Sequence, residues 1–198
     1  MLPENFHDIK IILSSKSPRR QLLLKELGLN FEIKNIETEE NFSEDLKREE
    51  IPLYLCRLKA DAFNEALSTK SILITADTIV WVNNMVLNKP ENREDAIRML
   101  RILSGRMHEV ITAICLSSSN GTKSFFVTTK VYFKPLSDEE IIYYLDHYKP
   151  YDKAGAYGIQ EWIGYIGIEK IEGSYFNVMG LPLKELYEEL VDFKKIIT

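Results

Sequence analysis

The chain has 198 residues, 45% of them apolar and 28% charged, with a net charge of −5. This is ordinary composition for one sizeable globular domain, or two lobes around a cleft, and it excludes disorder. The negative balance argues against coating nucleic acid by bulk electrostatics, so any polyanion must be held by a local cluster of cations, and no stable nucleic-acid partner is expected. Apolar runs reach only four to five residues, as in Ile79-Val80-Trp81-Val82, far short of the roughly 20 that span a bilayer. Residues 1–10 include acids and lack a signal-peptide core, so a cytoplasmic protein with no membrane partner is expected.

In chain order, β-branched and aromatic content predicts a strand at 10–14, a helix at 17–27 and a strand at 31–36. A helix over 52–67 follows, on the stripe Leu53, Cys56, Ala60, Phe63 and Leu67, which leaves Lys59 at the edge of the packed face. Strands are predicted at 72–76 and 78–82, with a hairpin turn at Asn83-Asn84 leading into the short run Met85-Val86-Leu87. The helix at 93–103 is announced by Asn92 with Asp95, and the helix at 138–147 by the capping box Ser137 with Glu140. Between them lie strands at 108–117 and 123–133 joined at Asn120-Gly121; a strand at 162–171 and a helix at 182–195 complete the chain. Gly28 and Gly105 stand just past helix ends, where a left-handed residue is needed. Helices and strands interleave without linkers or repeats, so the class is α/β and the chain reads as one domain over 1–198.

One stretch breaks a local rule. Ser17 and Pro18 suit the N-cap and first position of a helix, yet Arg19 and Arg20 follow where acids are favoured by the partial positive charge of the helix start. Free N–H groups, the hydroxyls of Ser15 and Ser17 and two guanidiniums suit a multiply charged anion such as phosphate. Asp77, set between two apolar runs, is either a solvated turn residue or a carboxylate held beside a cation or metal. Ligands of open α/β sheets lie beyond the carboxyl ends of strands, and Asp77 and Ser14-Ser15 both end strand-like runs, which favours function. Lys89-Pro90 is a solvated lysine or a ligand contact. Small residues among the aromatics of Tyr151-Asp152-Lys153-Ala154-Gly155-Ala156-Tyr157-Gly158-Ile159-Gln160 reflect close approach of a ligand or tight packing.

Cys56 and Cys115 have no ligand spacing and read as buried structural thiols, and His7, His108 and His147 are scattered. GxxxxGK[ST], GxGxxG, HExxH and GxSxG are all absent from the sequence, against a P-loop NTPase, a Rossmann dehydrogenase, a zincin and an α/β-hydrolase.

Five blocks in order resemble the Maf family of nucleoside triphosphate pyrophosphatases, first named for septum formation inhibition. They run from Ile11 to Arg20, through Ala76-Asp77-Thr78, Leu87-Asn88-Lys89-Pro90 and Met99 to His108, to Asp152 through Gln160, with Gly180-Leu181-Pro182-Leu183 beyond. The resemblance implies an elongated, twisted mixed β-sheet flanked by helices, similar to the inosine triphosphatase architecture, with the site between two lobes. It implies that water attacks the α-phosphorus of a nucleoside triphosphate, releasing monophosphate and pyrophosphate with Mg²⁺ or Mn²⁺, and that homodimers are common. Matching positions are Ser15, Ser17, Arg19, Arg20, Glu40, Lys59, Asp77, Thr78, Lys89 and Gln160, with Asp77 as the expected catalytic carboxylate and Glu40 a second carboxylate near the metal. Ser-Pro-Arg-Arg, Ala-Asp-Thr and Lys-Ala-Gly-Ala-Tyr-Gly-Ile-Gln resemble the branch acting on dTTP and UTP rather than the 7-methyl-GTP branch. Around the helical lysine, Leu55-Cys56-Arg57-Leu58-Lys59-Ala60 departs from the family's usual Leu-Ala-x-x-Lys-Ala by an extra cation, Arg57.

A triphosphate brings about four negative charges, so positioning and charge compensation carry most of such catalysis. Arg19 and Arg20 are expected to grip phosphate oxygens, Lys59 and Lys89 to add point charges, and Gln160, which both donates and accepts, to read a uracil or thymine edge. A converging group of cations is expected to repel itself until the anion arrives. A competing class is a nucleotide-sensing regulator without catalysis, and a third is a phosphomonoesterase. A pure anion binder gains nothing from a carboxylate beside the phosphates, which makes Asp77 the discriminating residue.

Overall fold

The computed structural model describes residues 6–197; residues 1–5 of the amino-terminal stretch read for a signal peptide lie outside them. The elements in order are β1 (Lys10–Ser14), α1 (Pro18–Glu26), β2 (Phe31–Ile33), α2 (Glu50–Asp61), β3 (Ser71–Val82), β4 (Met85–Leu87), α3 (Arg93–Leu103), β5 (Met107–Ser118), β6 (Gly121–Phe133), α4 (Asp138–Tyr148), a 3₁₀ turn (Ala154–Ala156), α5 (Trp162–Gly167), β7 (Ile168–Glu172), α6 (Tyr175–Met179) and α7 (Leu183–Ile197). The seven-stranded sheet has the order β2-β1-β3-β5-β6-β7, with β4 added on β3. It is mixed: β1 runs parallel to β2 and β3, while β3 with β4 and β6 with β7 are antiparallel. The α/β expectation holds. Among the described residues, no helix is long and apolar enough to cross a membrane.

The chain divides into two compact units, one of Met1–Asp77, Thr112–Val127 and Gly180–Thr198, the other of Thr78–Ile111 and Thr128–Met179. Each is assembled from separated stretches, so no single linker divides the sequence. In the first unit, β1 pairs with β3 from Lys10↔Ser71 to Ser14↔Thr75, and Ile11 to Ser14 are all buried. Helix α7 turns Leu186, Leu190, Phe193 and Ile197 inward at the 3.6-residue period. Cys56, Ala113 and Cys115 pack together with Leu53 and Ala60, and both cysteines are free and buried, as the sequence suggests.

The second unit has its own core. Ala96, Met99, Leu100 and Leu103 line one face of α3 and pack with Val80, Val110, Val131, Phe133, Tyr144 and Tyr157. The capping box of Ser137 and Glu140 fixes the start of α4, and Asn92 accepts from the Asp95 N–H at the start of α3. Asn83 and Asn84, at φ 51° and 59°, form the predicted hairpin turn between β3 and β4.

Three expectations change. The runs 72–76 and 78–82 are one strand, buried at eleven of its twelve positions, so Asp77 interrupts nothing. A strand covered on both faces has no alternating pattern, and a carboxylate inside it therefore looks like a break. Helix α2 begins at Glu50, before Pro52, which the first turn tolerates. It ends at Asp61, where the Phe63 N–H turns back to the Ala60 carbonyl, so Phe63 and Leu67 leave the helix. Residues 162–167 of the predicted strand are helical, and only 168–172 are extended. Their β-branched and aromatic content is overridden by close packing: a Cβ on Gly164 would lie 2.0 Å from the Ile159 carbonyl oxygen.

Candidate active site

In the first unit, β1 leads through Ser14-Ser15 into α1. The Ser17 N–H donates to Ser15 Oγ at 3.2 Å, Gln21 Nε2 donates to the Ser15 carbonyl at 3.0 Å, and Ser17 Oγ caps the Arg20 N–H at 3.5 Å. Pro18 occupies the first helical position and the first turn holds no acid, as expected. Both hydroxyls thus shape the turn that presents Arg19 and Arg20.

Arg20 does more than the sequence suggests. Its Nε donates to the Gly180 carbonyl and its Nη1 to the Ala76 carbonyl, each at 2.9 Å. Two of its five N–H groups therefore tie α1 to the approach to α7 and to the residue before Asp77. Burial pulls the guanidinium below its usual pKa; Asp77 and Glu40 oppose that pull, and Arg19 adds to it. The other three N–H groups of Arg20 belong to Nη1 and Nη2, and Arg19, half-buried one residue earlier, lies in the same turn.

Asp77 lies two positions past Thr75, where the pairing with β1 ends, so its carboxylate stands beyond the end of the neighbouring strand. Lys59 Nζ meets Asp77 Oδ1 at 2.6 Å and Glu40 Oε1 at 2.8 Å. The side chains of Lys59 and Asp77 are 14% and 11% exposed, while Glu40 is 42% exposed. Lys59 follows Leu55 and Cys56 by four and three residues, and these, with Ile51, form the buried face of α2. It thus continues the packed face inward rather than lying at its edge. It is also compensated by two carboxylates, so the picture of mutually repelling cations does not apply to it. Arg57 is exposed and donates to Ser124 Oγ at 3.0 Å, away from Asp77's partner.

Two carboxylates converging on one ammonium offer hard oxygen donors, the chemistry that suits Mg²⁺ or Mn²⁺ alongside phosphate oxygens. Among the described residues no group of three or more His, Cys, Asp or Glu side chains gathers as a ready-made metal cage. The pair fits a metal that is completed by its substrate rather than one held by protein alone.

The second unit holds Thr78, Lys89 and Gln160. Thr78 is half-buried on β3, and Lys89 is exposed just past β4. Asn88, beside it, accepts from the Gly155 N–H at 3.1 Å. Gly155 has φ +69°, and a Cβ there would lie 2.9 Å from a Val80 methyl, so the small residues of this stretch serve tight packing. Gln160 Oε1 is buried with no hydrogen-bond partner.

Sequence reasoning passed over several residues. The carbonyls of Ala76 and Gly180 carry no side-chain signature. Lys153, Glu161 and Tyr144 form a buried network, and His108 Nε2 bonds the Tyr157 hydroxyl at 2.7 Å against the Phe133 ring. A lysine and a glutamate eight positions apart, bracketing the small-residue stretch, were the available signal for the first network; a lone histidine gave none for the second.

The first unit thus brings together a helix start with two arginines and a lysine shared by two carboxylates. The chain belongs to the Maf-like protein family, whose model matches residues 10–193. A relative from Phocaeicola vulgatus, named dTTP/UTP pyrophosphatase, is 53% identical over 188 residues, covering 94% of this chain and 97% of that one. Relatives of the same name from Parabacteroides distasonis and Flavobacterium johnsoniae are 51% and 52% identical, covering 96% of this chain and 99% and 98% of theirs. Among solved structures, the Staphylococcus aureus Ham1 protein matches with a TM-score of 0.42 and 16% identity over 63% of this chain and 71% of its own.

Proposed function

We propose that this protein hydrolyses dTTP and UTP to the nucleoside monophosphate and pyrophosphate, with water attacking the α-phosphorus and a divalent cation bound by Asp77 and Glu40. The relatives' shared name supports the substrates. The observation that carries the reading is the grip of Lys59 on both Asp77 and Glu40, since a protein that only binds phosphate has no use for a pair of carboxylates there. The metal, when bound, would supply positive charge that offsets the negative charge of the triphosphate.

The chain's side chains do the rest. Arg19 and the N–H groups of the first turn of α1 hold phosphate oxygens, and Arg20 holds the turn and the strand end at Ala76 in register while adding its charge. Asp77 accepts the proton of the attacking water at a carboxylate oxygen, a contribution of about 10²–10⁴-fold in rate. Lys59 and Lys89 compensate charge on the departing pyrophosphate. Gln160 reads the base, because an amide matches the N3–H donor and O4 acceptor of uracil and thymine.

The test is product analysis with Mg²⁺ or Mn²⁺ and each of dTTP, UTP, CTP, GTP and 7-methyl-GTP, alongside Asp77→Asn. The expected result is monophosphate and pyrophosphate from dTTP and UTP, lowered at least about 10²-fold in the variant. Release of orthophosphate with diphosphate, or an unaffected variant, would overturn the proposal.

A further inference from the structure

The second unit contains a buried ionic network that the proposed chemistry does not use. Lys153 is 8% exposed, and its Nζ lies 2.7 Å from Asp152 Oδ1 and 3.0 Å from Glu161 Oε1. The other oxygen of Glu161 accepts from the Tyr144 hydroxyl, which in turn accepts from the Gly158 N–H at 3.0 Å. Tyr144 is fully buried on α4, the helix fixed by its capping box. The Glu161 carboxylate packs so closely on Gly158 that a Cβ there would lie 2.7 Å from Glu161 Cδ.

These contacts close a ring over residues 158–161, and the side chain inside that span with an unpartnered buried atom is Gln160. The Tyr165 hydroxyl donates to the Gln160 carbonyl, a further tie on its backbone. A buried ion pair adds little net stability over apolar packing of the same shape, so its worth here is directional. It fixes the path of the chain, as an apolar contact of equal area would not.

We propose that Lys153, Glu161 and Tyr144 are positioning residues for Gln160, setting base selection rather than phosphate binding. This rests on the reading of Gln160 as the group that recognises the base. Uracil presents a donor at N3 and an acceptor at O4, while cytosine presents the reverse. Selection between them therefore depends on holding one amide orientation at one place, and a loosened turn lets the amide adapt to either.

Glu161→Gln and Tyr144→Phe, which keep side-chain shape, are compared with Gln160→Leu and the unaltered protein. For each, kcat and KM are measured with UTP and CTP, together with the inhibition constant of inorganic tripolyphosphate, which carries phosphates and no base. The proposal predicts that the UTP-over-CTP ratio of kcat/KM falls about tenfold in Glu161→Gln and Tyr144→Phe, mainly through KM for UTP. Tripolyphosphate inhibition stays within about twofold in the same variants, since phosphate contacts are separate interactions. If the ratio changes in Gln160→Leu alone, the network is a structural prop and the proposal fails while the base reading stands. If the unaltered protein shows no preference, or Gln160→Leu leaves it intact, the base reading fails and takes the proposal with it. Weakened tripolyphosphate inhibition in the network variants also overturns it. Should Glu161→Gln not fold, Tyr144→Phe, which removes one hydroxyl, decides.

Discussion

Lys59 Nζ stands 2.6 Å from Asp77 Oδ1, a buried ion pair between the inner face of α2 and the middle of β3. Removing one partner of such a pair leaves the other without compensation, typically about 3–5 kcal/mol of destabilisation when fully buried, and less here because the Asp77 side chain keeps 11% exposure and Glu40 is 42% exposed. Lys59→Met, which keeps the apolar stem, is expected to abolish turnover and to lower stability by about 1–3 kcal/mol, from the two buried or partly buried carboxylates left behind. Denaturant unfolding beside a turnover assay checks both.

Arg20→Lys separates charge from shape. The ammonium keeps the positive charge but cannot reach the Gly180 and Ala76 carbonyls in the geometry of the guanidinium. Each orphaned carbonyl costs about 1–3 kcal/mol. A lowered melting temperature together with a fall in kcat is expected, whereas Arg19→Lys is expected to weaken nucleotide binding with little change in stability. Equal melting temperatures for the two variants would refute the strut role of Arg20.

His108 makes stability pH-dependent. Burial depresses its pKa to about 3 from an ordinary value of 6.5, so the folded protein keeps the imidazole neutral where the unfolded chain takes up a proton. The unfolded state therefore binds more protons between those values. Stability is complete above about pH 6.5 and falls by up to about 1.4 kcal/mol per pH unit as the pH drops toward 3. His108→Gln, which keeps a partner for the Tyr157 hydroxyl, is expected to flatten that slope in denaturant titrations from pH 7 to pH 4.

Cys56 is buried, and desolvation, reinforced by Cys115 and Asp77, pushes its thiol up to about 12. The thiolate is the reactive form, so alkylation of the native protein at pH 8 is expected to be no faster than unfolding, and both cysteines should react together in denaturant. Rapid labelling of one cysteine in the folded protein would contradict the packing around Ala113.

Much of this was legible in the sequence, and the exceptions share a cause. Helices α3 and α4 declare themselves through caps and an apolar period, and Asn83-Asn84 through turn chemistry, all local effects. The Ser17-Pro18-Arg19-Arg20 turn was legible because it violates a local preference. Asp77 looked like a strand end because its strand is covered on both faces and carries no alternation. Trp162 to Gly167 looked extended because nothing local reports that Gly164 must lie against the Ile159 carbonyl. The tie from Arg20 to Gly180 spans 160 residues of chain, and its acceptors are backbone atoms that any residue would supply.

The most direct test of the central claim is hydrolysis of dTTP in ¹⁸O-labelled water with Mg²⁺, followed by mass analysis of both products. Attack at the α-phosphorus predicts one labelled oxygen in the thymidine monophosphate and none in the pyrophosphate. Label in pyrophosphate would place the attack at the β-phosphorus, and label in orthophosphate at the γ-phosphorus; either would contradict the account.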